Sequence, residues 1–147
     1  MFTLNDPVTN AKLQLIGDTH ARLWVNGVEV GEVFARRSLS LLVEHQRVTM
    51  WDVTSLLKPG ENVLAVDVAN CNAFASAGFN LYGELRNGSV ITKILSDSTW
   101  RVSPQAPEGW MSVRFDDRGW LSAAPKTYPF QIIQPDFDTG RLSWIER

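Results

Sequence analysis

The sequence predicts an all-β protein, either a sandwich or a barrel of antiparallel strands. Apolar residues alternate with polar ones or form short blocks, which is typical of half-buried and fully buried strands. Turn-forming Gly, Pro, Asn and Asp residues separate these blocks at intervals of about ten residues, the spacing expected in sandwiches and barrels. No stretch has the apolar period of a helix three turns long.

Two hairpins are predicted from Asn-Gly pairs between alternating apolar stretches. In ARLWVNGVEVGEV (21–33), Asn26 and Gly27 both tolerate the positive φ that a two-residue turn requires. GFNLYGELRNGSVITKIL (78–95) repeats the pattern around Asn87-Gly88. Four further strands are predicted, at residues 11–16, 46–51, 62–69 and 99–103. RRSLSLLVEH (36–45) is predicted to be a short helix or a loop.

The stretch DVTSLLKPGENVLAVDV (52–68) predicts a corner between two strands. The carboxylate of Asp52 can accept a hydrogen bond from the backbone N–H of Thr54 or Ser55 and so cap one short turn. Lys-Pro-Gly-Glu (58–61) fits a type II turn. Five apolar residues of the unit are expected to face the core: Leu56, Leu57, Leu64, Val66 and Val68.

Charge and hydropathy argue against two classes of partner. The net charge is −2 and the pI is about 5.6, whereas nucleic-acid-binding domains usually carry a basic surface. No stretch approaches the ~20 apolar residues of a membrane span. We therefore expect neither nucleic acid nor a membrane as partner. The length fits one sandwich domain, residues 1–124, with a tail at 125–147 that packs on it or leads to a neighbouring domain.

The sequence offers no constellation of catalytic or metal-binding residues. Asp116 and Asp117 are adjacent, which favours turn caps over the paired carboxylates of a glycosidase. The only histidines, His20 and His45, lack the neighbouring partners of a triad or a zinc site. DFDTG (136–140) begins like a calcium loop but lacks the later ligands. We therefore expect no catalytic residue and no metal site.

The order of these motifs resembles that of the galactose-binding-domain-like modules of glycoside hydrolases. The similarity is to the jelly-roll domains of β-galactosidase-type enzymes and of α-L-rhamnosidases, and it covers about residues 11–123. The stretches that carry it are VNGVEVG (25–31), DVTSLLKPGENVLAVDV (52–68), GFNLYGEL (78–85), SDSTW (96–100) and FDDRGW (115–120).

The resemblance implies a jelly roll of about eight strands that serves as an accessory module. It also implies that some relatives bind a sugar at loops on one edge, some of them with a calcium ion nearby, while others only brace a catalytic domain. No stretch of this chain matches a catalytic barrel or a calcium-ligand cluster, so no cofactor is assigned.

The candidate ligand-binding residues are aromatic rings and polar side chains in loops, because sugars stack C–H faces on rings and present hydroxyls to polar groups. Three rings lie where burial is not assured: Trp110 in a loop rich in Pro and Gly, Phe74 in a polar loop after a strand, and Phe34 just before Arg36 and Arg37. We predict that Trp110 or Phe74 is the stacking platform. The residues predicted to bind hydroxyls are Asn70, Asn72, Arg36 and Arg37. For 70–74 the alternative is an ordinary polar loop around a tucked-in ring.

The other tryptophans are interpreted as packing residues, because they lie in predicted strands or in the shared motifs. They are expected in the core or between the sheets, and they are Trp24, Trp51, Trp100 and Trp120.

The leading hypothesis is a non-catalytic carbohydrate-binding or accessory module of a glycoside hydrolase that binds sugar reversibly at one edge of the sandwich. A purely structural domain would instead brace a catalytic domain or form a homodimer through an apolar patch. Candidate residues for that patch are Phe130, Ile132, Ile133 and Trp144. A free-standing hydrolase would require two carboxylates to converge on one concave pocket.

Overall fold

The structure is a computed structural model that describes residues 1–17, 19–34, 49–70 and 77–125, together with the backbone of four short strands elsewhere. The described strands, in chain order, are β1 (Phe2–Leu4), β2 (Asn10–Gly17), β3 (His20–Val25), β4 (Val28–Phe34), β5 (Arg36–Ser38), β6 (Val43–His45), β7 (Thr49–Asp52), β8 (Gly60–Asn62), β9 (Leu64–Ala69), β10 (Phe79–Asn87), β11 (Val90–Leu95), β12 (Arg101–Val102), β13 (Leu121–Ser122), β14 (Ile133–Pro135) and β15 (Leu142–Trp144). A 3-10 turn, Thr54–Leu56, is the one helical element of the described residues.

Two antiparallel sheets pack face to face. One has four strands in the order β11-β10-β2-β7, and the other has three in the order β4-β3-β9. The remaining described strands form two-stranded pairs: β1-β8, β5-β6, β12-β13 and β14-β15. The predicted all-β sandwich is therefore confirmed. The placement of the tail on the sandwich lies outside the described residues.

The segment 36–45 was predicted to be a helix or a loop, and this prediction is wrong. It contains β5 and β6, which pair in antiparallel register.

The core lies between the two sheets and is built from alternate residues of their central strands. Leu13 and Leu15 of β2, Leu23 and Val25 of β3, and Leu81 of β10 are at most 1% exposed. Burying one such side chain contributes about 1.5–3 kcal/mol. These central residues therefore account for a large part of what holds the sheets together.

Two strand glycines are required by close packing. A Cβ at Gly83 would lie 2.4 Å from Cδ2 of Leu13, and a Cβ at Gly31 would lie 2.8 Å from Nε1 of Trp51. Trp51 lies in the four-stranded sheet and Gly31 in the other, so this ring packs between the sheets as predicted.

The first hairpin turn forms as predicted, and the second is shifted by one residue. Asn26 and Gly27 have φ of 52° and 83°, as in a type I′ turn. In the second hairpin Asn87 pairs with Val90, so the turn residues are Gly88 and Ser89. Gly88 has a positive φ of 57° and supplies the first turn position of a type II′ turn.

The corner after β7 also forms as predicted, but the strand predicted to follow it is divided in two. Oδ1 of Asp52 accepts a hydrogen bond from the backbone N–H of Thr54 at 2.9 Å. Gly60 has φ of 91°, as a type II turn requires at this position. The strand predicted at 62–69 is split, because β8 pairs with β1 whereas β9 pairs with β3. The leucines expected to close this end pack against the core: Leu56 and Leu57.

A pair of amide side chains joins the first hairpin turn to this corner. Asn62 is fully buried, and its Oδ1 accepts from Nδ2 of Asn26 at 2.8 Å and from the N–H of Lys58 at 3.1 Å. Its Nδ2 donates to the carbonyls of Lys58 at 2.7 Å and Gly60 at 3.0 Å. Oδ1 of Asn26 accepts from the N–H of Val63 at 2.9 Å. The pair stabilises both turns because its buried polar atoms are hydrogen-bonded.

Candidate functional site

Asn70 and Trp110, both predicted to bind ligand, lie at opposite ends of the outer face of the three-stranded sheet. The side chains of β3 that face away from the core are those of His20, Arg22 and Trp24. His20 pairs with Ala69, next to Asn70, whereas the Trp24 ring contacts Trp110. About 13 Å of strand separates His20 from Trp24. The structure therefore does not bring Trp110 and Asn70 together.

The chain leading to the predicted arginines leaves the sheet at the Asn70 end. Phe34, the last residue of β4, pairs with His20, and β5 begins two residues later. Asn70 is half-buried, and the hydroxyl of Thr19 donates to its Oδ1 at 3.5 Å. The other predicted side chains lie outside the described residues: those of Arg36, Arg37, Asn72 and Phe74.

The described side chains at this end form a surface that we name the Phe34 rim: His20, Arg22, Glu32, Phe34 and Asn70. The Phe34 ring is 53% exposed and stacks on the His20 ring, with 4.5 Å between centroids and 20° between planes. Nε2 of His20 and Nη2 of Arg22 contact the same oxygen of Glu32, Oε2, at 3.0 and 3.1 Å. Within the described part of the chain, Oε1 of Glu32 has no hydrogen-bond partner.

The rim carries a fixed pair of opposite charges. The hydrogen bond with His20, followed by that from Arg22, lowers the pKa of Glu32. The hydrogen bond to Glu32 and the charge of Glu29 raise the pKa of Arg22. Glu32 and Arg22 are therefore both ionised at neutral pH. The guanidinium carbon of Arg22 also lies 5.9 Å from the centroid of the Trp24 ring, a cation–π distance.

The opposite end of the face holds four packed rings that we name the Trp cluster: Trp24, Trp110, Phe115 and Trp120. Trp110 meets Trp24 edge-on at 5.4 Å and lies nearly parallel to Trp120 at 6.4 Å, while Phe115 meets Trp120 edge-on at 5.4 Å. All four are half-buried. Trp110, predicted to be a stacking platform, thus fastens its own loop to the sheet.

Two of the four tryptophans predicted to pack internally do so. Trp51 and Trp100 pack against the core, whereas Trp24 and Trp120 pack on the outer face. Strand alternation explains Trp24, because its neighbours Leu23 and Val25 take the inward positions on β3.

A groove of about 510 Å³ runs along β9, the edge strand of the three-stranded sheet, and we name it the β9 groove. One wall comes from β9, and the rest of the lining comes from Met1 and Phe2, from Phe79, from residues 93–95 of β11 and from residues between 97 and 120. Its aromatic lining includes Trp100, Trp110 and Trp120, and its polar lining includes Asp67, Arg101 and Asp117. Rings and polar groups therefore line one concave surface together.

Asp116 and Asp97 serve as turn residues, which confirms the interpretation of Asp116. Asp116 accepts hydrogen bonds from the backbone and the guanidinium of Arg118, and these bonds lower its pKa to about 2. Asp97 accepts from the backbone and hydroxyl of Thr99. No group of three His, Cys, Asp or Glu residues could hold a metal ion in the ranges that the structure describes. No helix in those ranges is long and apolar enough to cross a membrane.

Comparison with known sequences gives a consistent family. A family model described as the α-L-rhamnosidase N-terminal domain matches residues 6–96. A curated α-L-rhamnosidase from Streptomyces avermitilis is 34% identical over 122 residues. The match covers 82% of this chain and 11% of that protein, so the chain spans a small part of the length of its relative.

Comparison with solved structures agrees with the sequence match. The S. avermitilis α-L-rhamnosidase complexed with L-rhamnose has a TM-score of 0.68 and 30% identity, over 82% of this chain and 12% of that one. A lectin from Pleurotus ostreatus in complex with GalNAc has a TM-score of 0.62 and 20% identity, over 84% of this chain and 34% of that one, and it shares the fold. The resemblance seen in the sequence motifs is thereby confirmed: the chain belongs to the α-L-rhamnosidase N-terminal domain family.

Proposed function

We propose that this domain is a non-catalytic carbohydrate-binding module of an α-L-rhamnosidase and that it binds sugar at the Phe34 rim. The observation that carries the proposal is an exposed ring beside an ionised carboxylate, one oxygen of which has no hydrogen-bond partner in the described part of the chain. A sugar ring would stack its C–H face on Phe34, and one of its hydroxyls would donate to Oε1 of Glu32. Asn70 lies at the same end and would contact the ring edge.

The relatives support a sugar as the ligand. The S. avermitilis α-L-rhamnosidase was solved with L-rhamnose, and the Pleurotus lectin of the same fold was solved with GalNAc. The contact area at the rim is small and water competes for each hydroxyl, so a single sugar would bind with a Kd of about 0.1–1 mM.

The proton chemistry of the described carboxyls supports a non-catalytic role. A glycosidase needs a general acid whose pKa is raised, so that it carries a proton at neutral pH. Every clear pKa shift of a carboxyl group in the described residues is downward, and hydrogen-bond donors stabilise each of these carboxylates. The groups concerned are Glu32, Asp52, Glu84, Asp97 and Asp116.

Calorimetric titration with L-rhamnose tests the proposal. Phe34→Ala is expected to weaken binding by about tenfold, the equivalent of 1.4 kcal/mol, because the stacking platform is lost. Val90→Ala is the control, since Val90 is also exposed but lies on the other sheet. Equal affinities for wild type and Phe34→Ala, or no binding by wild type at millimolar sugar, would refute sugar binding at the rim.

A self-associating structural domain is the second candidate, and one observation favours it. β11 is the edge of the four-stranded sheet and has the exposed aliphatic side chains of Val90, Ile91 and Leu95. An exposed edge of this kind can pair with another strand. Light scattering after gel filtration would show a dimer that Ile91→Lys converts to a monomer. A monomer at all concentrations contradicts self-association.

A further inference from the structure

We infer that the β9 groove receives the further units of an oligosaccharide whose terminal unit occupies the Phe34 rim. The inference rests on the proposed function and adds that the ligand is a sugar chain. Residues of the groove, which do not belong to the rim, would then make the domain bind a sugar chain more tightly than a single sugar.

The groove and the rim are continuous along one strand. Residues 64–68 of β9 line the groove, and the next residues, Ala69 and Asn70, reach the rim, where Ala69 pairs with His20. Asp67 connects the two surfaces, because it lines the groove and pairs across the sheet with Arg22 of the rim. From Ala69 to Leu64 the strand extends about 16 Å. A chain that starts on Phe34 of β4 would pass over β3 on the outer face, about 10 Å, and reach the groove at β9.

The lining of the groove suits a sugar chain. Half-buried tryptophans provide apolar walls, while Arg101 is an exposed hydrogen-bond donor and Asp117 a partly exposed acceptor. Apolar walls with a few polar groups are the usual composition of small-ligand sites. The indole N–H of Trp100 already donates to the carbonyl of Leu95 at 2.8 Å, whereas those of Trp110 and Trp120 have no acceptor among the described residues.

A polypeptide strand is the rival occupant. The N–H of Asn26 donates to the carbonyl of Val63, so the ladder between β3 and β9 uses the backbone of every second residue from 63 onward. The N–H and C=O groups of the residues between them, Leu64, Val66 and Val68, therefore point to the groove. The tryptophan rings that line the groove favour a sugar chain over a polypeptide strand. The link between β9 and the rim, through Ala69 and Asn70, favours it as well.

The test compares L-rhamnose with a linear tetrasaccharide of L-rhamnose by calorimetric titration. Wild type is expected to bind the tetrasaccharide about tenfold more tightly. Asp117→Ala and Arg101→Ala should reduce that affinity to the level of the monosaccharide and leave L-rhamnose binding unchanged. Asp116→Ala is the matched control, because Asp116 is adjacent but does not line the groove. Thermal unfolding of each variant verifies folding.

The outcomes separate this inference from the proposed function. If both sugars bind wild type equally, or if Asp117→Ala and Arg101→Ala keep the preference for the tetrasaccharide, the groove does not hold the chain and the inference is overturned while rim binding stands. If neither sugar binds, the proposed function fails and the inference fails with it. A tetrasaccharide preference lost only in the two groove variants supports the inference.

Discussion

The Phe34 rim and the Trp cluster lie on the same face of the same sheet and differ in what covers their rings. Among the described residues Phe34 has one ring neighbour, and it is 53% exposed, while the tryptophans at the other end pack on one another and are half-buried. The rim also has the ionised carboxylate of Glu32, whose Oε1 has no hydrogen-bond partner among the residues that the structure describes. The comparison teaches that the neighbours of an aromatic ring, more than its type or its loop, decide whether its face is exposed enough to stack on a terminal sugar, while packed rings such as Trp110 and Trp120 can still line the wall of a groove.

The largest expected effect is a loss of stability when the amide pair of Asn26 and Asn62 is broken. Asn62→Ala removes a fully buried amide together with its four hydrogen bonds to Asn26, Lys58 and Gly60. We expect a loss of about 2–4 kcal/mol in the free energy of unfolding, because each of these hydrogen bonds contributes about 0.5–1.5 kcal/mol. Urea denaturation measures it. A loss below about 0.5 kcal/mol would show that the amide pair does not hold the two turns together.

The next effect compares the two ends directly. Trp24→Ala removes the ring that Trp110 and the Arg22 guanidinium contact, so we expect a loss of about 2 kcal/mol in the free energy of unfolding. Phe34→Ala should change it by at most about 0.5 kcal/mol, since an exposed ring contributes little to the core. Both variants are measured by urea denaturation under the same conditions. Equal losses would abolish the distinction between a packing end and a binding end.

The smallest effect is the acid response of Glu32. Its pKa is lowered in the folded protein, mainly by the hydrogen bond with His20, so ionised Glu32 stabilises the fold above the ordinary pKa of 4.5. That contribution is lost as the pH falls through the lowered pKa. Denaturation midpoints of wild type should therefore fall more steeply below pH 4.5 than those of Glu32→Gln. Parallel curves would show that the rim does not hold Glu32 ionised.

Much of the scaffold could be predicted because its signals are local. The turn at Asn26-Gly27 depends only on the φ angles of those two residues. The Asp52 cap and the turn at Gly60 are each determined by residues within a few positions. The slip from Asn87-Gly88 to Gly88-Ser89 shows the limit of such signals: the register of β10 and β11 places Asn87 in the ladder. The pattern of turns therefore predicted the sandwich better than it predicted each turn position.

The site was harder to predict because exposure depends on distant segments. Trp24 is covered by Trp110, which is far away in sequence, and Trp110 in turn is covered by Trp120. No local pattern indicates either contact. A local signal for Phe34 did exist: Val33 is buried, so alternation along β4 turns Glu32 and Phe34 outward together. An aromatic residue and a carboxylate at neighbouring outward positions of one strand were therefore the sequence evidence for this site.

The most direct test of recognition at the Phe34 rim is chemical-shift mapping of the isotope-labelled protein during titration with L-rhamnose. The ring signals of Phe34 and His20 and the side-chain amide of Asn70 should move together along one saturation curve, while the indole N–H signal of Trp24 stays in place. Shifts confined to the tryptophans of the Trp cluster, or no shift anywhere at saturating sugar, would contradict binding at the exposed ring.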